Sequence, residues 1–312
     1  MNQRALVKRL RWFDEGAPMF RVVAGRLGMG DVLPANEEFY ACPSCLMAYN
    51  RAAVIAGVLT EEHVPPKALG GRSMLLTCTQ CNSISGSSFD AHAANRLDAE
   101  EFMRGTANGR VLPATFHVDG IPLRGTAQWT VDGLQLFGVP RQNDPRVQAA
   151  HLQALNAYVD SGHPNPPISF TVHTRFDEAR ARLSWIRAAY LAAFTALGWS
   201  YILREVMEPF RDQLRQPDAK IIPTYMLRSS SDATAERRIL LVEHPDELRC
   251  VAVIFGELSV FLPGIFRPLN CEQLADAFGR CRDANDQLQV SLQGKEMPWP
   301  QWPTYFLDGP AE

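Results

Sequence analysis

Two Cys-x-x-Cys pairs constrain this chain more than anything else in it: Cys42 with Cys45 in CPSC, and Cys78 with Cys81 in CTQC. A two-residue spacer points both thiolates of a pair at one ion, and two such pairs complete a tetrahedral zinc site. Cys78 follows Cys45 by 33 positions, room for a hairpin that folds the second pair back onto the first. Four thiolates leave no open coordination position, so the expected Zn²⁺ is structural. Its binding free energy, on the order of 10 kcal/mol, suits a module too small for a good core of its own. The first residues, MNQRALVKRLRWFDE, are charged throughout and lack the apolar stretch of a secretory signal, so the expected location is cytoplasmic. In that reducing setting paired cysteines read as metal ligands rather than disulfides. No βαβ pattern surrounds either pair, which argues against thiol redox chemistry. Cys250 lies in an apolar strand and reads as a small core residue, while Cys271 and Cys281 carry no assignment.

The rest of the chain is organised around this module. Its 312 residues are 46% hydrophobic and 21% charged, which excludes a disordered or collagen-like protein. No run of ~18 apolar residues offers a membrane span. Residues 1–39 form a basic N-terminal helical segment, with the helix expected over 2–14; residues 1–30 hold six Lys/Arg against two acids. Residues 40–110 form the metal-centred module, closed by Asn108-Gly109, a turn signal. Residues 111–312 are expected to form a larger α+β domain with antiparallel strands and long amphipathic helices. Short strands are expected at 114–118, 121–124, 128–131 and 134–139, with Asp119-Gly120 and Asp132-Gly133 as hairpin turns. Asp144-Pro145 caps and opens a helix to 160, GHPNPP is a loop, and 168–176 alternates like a strand. Leu183, Ile186, Tyr190, Phe194 and Leu197 recur at helical spacing up to a break at Gly198, and Pro209 is expected to kink the helix beyond. Strands are expected again at 239–242, 248–255 and 258–262. The Pro-rich aromatic tail PWPQWPTYF packs over the core in this reading.

Between the cysteine pairs lies Glu61-Glu62-His63-Val64-Pro65-Pro66, and Asn82 follows Cys81 directly. GSSFDAHAANR then supplies Asp90 and His92. Taken together, CPSC, EEHVPPKALGG and LTCTQCNSISGSSFDAH resemble the HNH endonuclease family: a zinc-binding pair on each side of an acid-His-(Ile/Val)-x-Pro strand, with Asn after the last cysteine. The match runs from about Cys42 to Asn95. The resemblance implies a zinc-stapled ββα-metal fold, with His63 on the first strand of a hairpin and a later metal ligand on a helix.

It also implies a mechanism that the residue types suit. His63, neutral near pH 7, acts as general base on a water that attacks a DNA phosphodiester. Mg²⁺ or Mn²⁺ neutralises charge on the transition state and the leaving oxygen. Glu62 carries over as the metal-ligating acid, although Asp is frequent there in the family, so Glu62 could instead stand one shell further out. Asn82 ties the loop around His63 in place. In many family members a His or Asn lies nine residues after the motif Asn; here that position is Ala91, with Asp90 and His92 on either side. A family variant with Gly-x-x-(Ile/Val)-Asp favours Asp90, given Gly86 at the matching spacing, and a hard oxygen suits Mg²⁺ better than imidazole. The choice between Asp90 and His92 stays open.

Lys67, Arg72 and Arg96 are the candidate nucleic-acid contacts. Residues 40–110 balance at six bases and six acids, so grip on DNA has to come also from the basic N-terminal helix, the C-terminal domain or a second subunit in a homodimer. The competing expectation is a zinc-finger adaptor that binds nucleic acid or protein without hydrolysis. His117, His151, His163, His173 and His244 have no partner pattern and read as surface or hydrogen-bonded residues.

Overall fold

The computed structural model describes residues 3–30, 33–34, 36–107, 109–162, 168–223, 226–228, 236–285 and 290–309. His163, Asn108 and most of the GHPNPP loop lie outside the described residues. In chain order the elements are α1 (Gln3–Arg26), β1 (Phe39–Ala41), β2 (Ala48–Asn50), α2 (Arg51–Ile55), β3 (Leu59–Val64), β4 (Arg72–Cys78) and α3 (Thr79–Ser85). A π-helical turn, Gly86–Asp90, leads into α4 (Ala91–Met103), β5 (Val111–Val118), β6 (Ile121–Thr130), β7 (Gly133–Gly138), α5 (Pro145–Asp160) and β8 (Ile168–Val172). Then come α6 (Glu178–Leu197), α7 (Trp199–Ile202), α8 (Glu208–Arg215), β9 (Met226–Arg228), β10 (Arg238–His244), β11 (Cys250–Ile254), β12 (Leu258–Pro263), α9 (Cys271–Arg280) and β13 (Gln293–Pro298). The fold is α+β with antiparallel strand pairs. Among the described residues no helix is long and apolar enough to cross a membrane.

The chain divides into two compact units, Met1–Asp90 with Ala179–Glu312, and Ala91–Glu178. This division does not coincide with boundaries at 39/40 and 110/111. The physical reason is visible in the core of the first unit. Leu59, Val64 and Met74 from the cysteine module share one buried cluster with Tyr190, Phe194, Trp199 and Val251. A hairpin and two knuckles have too little apolar surface to bury among themselves, so they complete their core with α6 and with strands from the far end of the chain. That unit's larger sheet runs β13-β10-β11-β12-β9, all antiparallel.

Local chemistry explains several element ends. Gly198 takes φ +90° between α6 and α7, and a Cβ there would lie 2.0 Å from Asp308 Oδ2. Asp308 uses both carboxylate oxygens to accept from the Trp199 and Ser200 N–H groups at the start of α7 (2.7 and 2.8 Å), the usual satisfaction of free amides at a helix start. The aromatic tail does pack on the core: Tyr305 is buried and stacks on Trp199 at 4.9 Å. Pro209 stands in the first turn of α8 and so opens a helix rather than kinking one. The N-terminal helix is far longer than 2–14, because Trp12, Phe13, Ala17, Phe20 and Ala24 continue an apolar face that the core covers.

In the second unit β7-β6-β5-β8 form a four-stranded antiparallel sheet. Its core is separate from the first, built on Phe102, Leu112, Ala114, Phe116 and Ala127. Segments 121–124 and 128–131 join into the single strand β6. Asp119 and Gly120 both have positive φ (50° and 75°), the condition of the I′ turn expected there. Asp144 caps α5 by accepting from Arg146 N–H at 2.7 Å.

Candidate functional site

The four cysteines converge. Cys42 directly follows β1, the CPSC turn returns through β2, and Cys78 ends β4 as the N-cap of α3. The Leu46 N–H donates to Cys42 O (2.8 Å) and the Cys42 N–H to Met47 O (2.9 Å), which curls the knuckle tightly, with Leu46 at φ 62°. The four Sγ atoms all lie within 4.8 Å of one another. A tetrahedron of ~2.3 Å Zn–S bonds has S···S edges of about 3.8 Å, and Cys45 Sγ to Cys78 Sγ is 3.8 Å. Backbone N–H groups of Cys78 and Cys81 donate to the Sγ atoms of Cys42 and Cys78, both at 3.4 Å. Hydrogen bonds from Cys42 hold the Cys45 and Cys78 thiols below their usual range, and the same contacts push Cys42 up. The donor set, spacing and soft sulfur chemistry fit a structural zinc ion.

The cysteines hold the β3–β4 hairpin, which α3 follows directly. Alternation along β3 sends Glu62 and Val64 inward and leaves Glu61 and His63 half-buried on the other side. His63 pairs across the hairpin with Ser73, and Val64 with Arg72, after a register shift between Glu62 and His63. The ring nitrogens of His63 carry no hydrogen bond among the described residues. Asn82 donates its amide N–H to the Glu61 carbonyl (3.4 Å) and so braces the strand one peptide from His63.

On the outward side Glu61 meets Lys8 at 2.8 Å and Arg9 at 3.5 Å, both from α1. Burial works against the Glu61 charge, but hydrogen bonds and attraction from Lys8, Ser73 and Arg9 outweigh it and hold the carboxyl below its usual value. At the hairpin tip Lys67 and Arg72 are exposed. Sequence reading passed over Arg237, which donates to the Gly70 and Leu69 carbonyls at 2.9 and 3.2 Å. Burial and the like charge of Arg72 both lower the Arg237 pKa. The tip is therefore locally cationic. Arg96 lies elsewhere, on α4 of the second unit, and is engaged by Glu100 and Glu178, each at 3.1 Å.

Glu62 and Asp90 are brought together, and Arg187 of α6 stands between them. Glu62 Oε2 pairs with Arg187 Nη2 and accepts from the Thr77 hydroxyl (3.1 Å), while Oε1 accepts from His63 N–H (3.0 Å). Asp90 Oδ2 faces Arg187 Nη1 at 3.8 Å, and Oδ1 accepts from the Ser184 hydroxyl at 2.6 Å. Arg187 is 1% exposed and Glu62 3%. Burial works against the Arg187 charge, and Glu62 and Asp90 outweigh it, raising its pKa. A divalent cation needs several carboxylate oxygens free to turn toward it. Here those oxygens already hold a guanidinium and two hydroxyls, so the arrangement does not fit Mg²⁺. His92 lies on α4 in the second unit, where its Nδ1 accepts from the Asp177 N–H at 2.9 Å.

The second unit has its own concavity, a cavity of about 390 Å³ lined by apolar side chains such as Phe116, Leu136 and Leu155. Its polar groups His151, Asn143 and Gln148 are hydrogen-bonded to backbone groups. Comparison with known proteins found no matching family model, no matching curated protein and no matching solved structure.

Proposed function

We propose that the cysteine-stapled hairpin and α3 form an HNH-type endonuclease module that hydrolyses DNA phosphodiester bonds. The observation that carries this is the setting of His63: an imidazole whose ring nitrogens bond no described residue, on a strand braced by Asn82, beside a hairpin tip that bears Lys67 and Arg72 and that Arg237 reaches. His63 takes the proton of a water molecule as that water attacks phosphorus, the bond from phosphorus to the 3′ oxygen breaks, the leaving oxygen takes a proton from solvent, and the tip cations hold the phosphate backbone in reach. Asn82 is a positioning residue: it fixes the Glu61 peptide and through it the direction of His63. The four-thiolate ion holds the hairpin and takes no part in the chemistry. A cation at Glu62 and Asp90 takes no part in this reaction.

The test is a nicking assay on supercoiled DNA with His63→Ala, zinc content checked in parallel. Hydrolysis is expected to fall by roughly 10²-fold or more, the range of a general base, with zinc unchanged. Cleavage at the wild-type rate removes His63 from the reaction. A second reading, a zinc-stapled adaptor without hydrolysis, is favoured by the burial of Glu62 and Arg187, which gives the acid a structural use. For an adaptor, wild type and His63→Ala shift DNA equally on a gel and neither cuts it.

A further inference from the structure

α6 presents one stripe to the cysteine module. Arg180 donates to the Ser88 carbonyl (3.2 Å), Ser184 to Asp90, Arg187 to Glu62, and the Tyr190 hydroxyl to the Pro43 carbonyl (2.7 Å). Positions 180, 184, 187 and 190 recur at four, three and three residues, one face of a helix. Each of these four side chains meets an acceptor from the CPSC knuckle, from β3 or from the π turn, and Arg180 also pairs with Asp218 at 2.6 Å. The π turn matters because its wider winding shifts the phase of the helix and swings Asp90 toward Ser184 and Arg187. Two carboxylates drawn together in a buried site repel each other unless one of them is protonated or a cation lies between them. The usual choices are a divalent metal or a guanidinium, and a guanidinium's planar fork suits two carboxylates.

We infer that Arg187 takes the seat of a divalent cation in this module: the chain binds one zinc through its cysteines and no second metal at Glu62 and Asp90. The inference rests on and deepens the proposed hydrolase, in which Glu62 and Asp90 then hold no catalytic cation. It reads metal binding directly, so its outcome does not depend on whether DNA is cut.

The experiment is a Mn²⁺ titration of the zinc-loaded full chain, followed by the paramagnetic resonance signal of free Mn²⁺. Wild type and Asp90→Asn are expected to bind the same small amount. Arg187→Gln is expected to gain one Mn²⁺ per chain, tighter than wild type by roughly tenfold or more, and Arg187→Gln with Asp90→Asn to lose it again. A wild-type Mn²⁺ site that Asp90→Asn abolishes overturns the inference. So does an Arg187→Gln chain that keeps its zinc and its near-ultraviolet circular dichroism yet gains no site. Should Arg187→Gln not fold, the wild-type and Asp90→Asn comparison decides alone. Failure of the hydrolase proposal looks different: no hydrolysis with or without Mg²⁺, while the titration still reports what sits between the carboxylates.

Discussion

Gly71 shows how a single hydrogen atom can be required. A Cβ at that position would lie 1.4 Å from the Pro65 carbonyl oxygen, so the loop that brings β4 back beside β3 closes only on glycine. Gly86 differs: its backbone is αR (φ −55°) and nothing lies within 4 Å of its would-be Cβ. Gly71→Ala is expected to lose at least about 3 kcal/mol by overpacking against backbone that cannot yield. Gly86→Ala should change stability by about 1 kcal/mol or less, in the stabilising direction. Urea unfolding of both variants checks the contrast. Asp90 gives a pH prediction of defined sign. Burial lifts its carboxyl from 3.8 to about 6, against the pull of Arg187 and the Ser184 hydroxyl. The folded chain therefore binds this proton more tightly than the unfolded chain. Its contribution to stability is complete below about pH 4 and is lost as pH rises through 6, a decline on the order of 2 kcal/mol. Urea midpoints between pH 4 and 7 should fall more steeply in wild type than in Asp90→Asn; equal slopes would place the dependence on another group.

At the scale of elements, what was legible in the sequence followed from local chemistry. The knuckle spacing, the Asp119-Gly120 turn, the Asp144 cap and the break at Gly198 each depend on a few neighbouring residues, and each is present. The partner of Glu62 was not legible, because Arg187 lies 125 positions later and only tertiary packing joins them. A clue was there: an arginine inside the apolar run WIRAAYLAAF is costly to bury without a counter-charge. Helical periodicity at 183, 186, 190, 194 and 197 hid it by assigning α6 a single apolar stripe, whereas the helix is buried on most sides. The π turn was equally invisible, since nothing in SISGSSFD announces the phase shift that carries Asp90. Arg237 was missed for the same reason as Arg187: the sequence does not say which distant cation reaches the hairpin tip.

On the scale of the whole molecule, two separate cores predict two separable unfolding steps. The cysteine centre belongs to the first unit, and the second unit has its own apolar cluster. Stripping zinc with a chelator should therefore lower the melting temperature of one transition and leave the other in place. Fluorescence distinguishes them. Trp129 is the lone tryptophan between 91 and 178, and its indole N–H donates to the Phe102 carbonyl at 2.8 Å. In Trp129→Phe the emission change on heating should follow the zinc-sensitive step alone; a chelator-insensitive emission change in that variant would contradict the assignment of cores to units.

The distance along the chain between Glu62 and Arg187 also governs how the protein is made. A ribosome delivers the hairpin long before it delivers the arginine that the hairpin's inward acid requires. Until α6 emerges, Glu62 lacks the guanidinium that faces it in the folded chain, so the inward side of the hairpin favours water over burial throughout synthesis of the middle third.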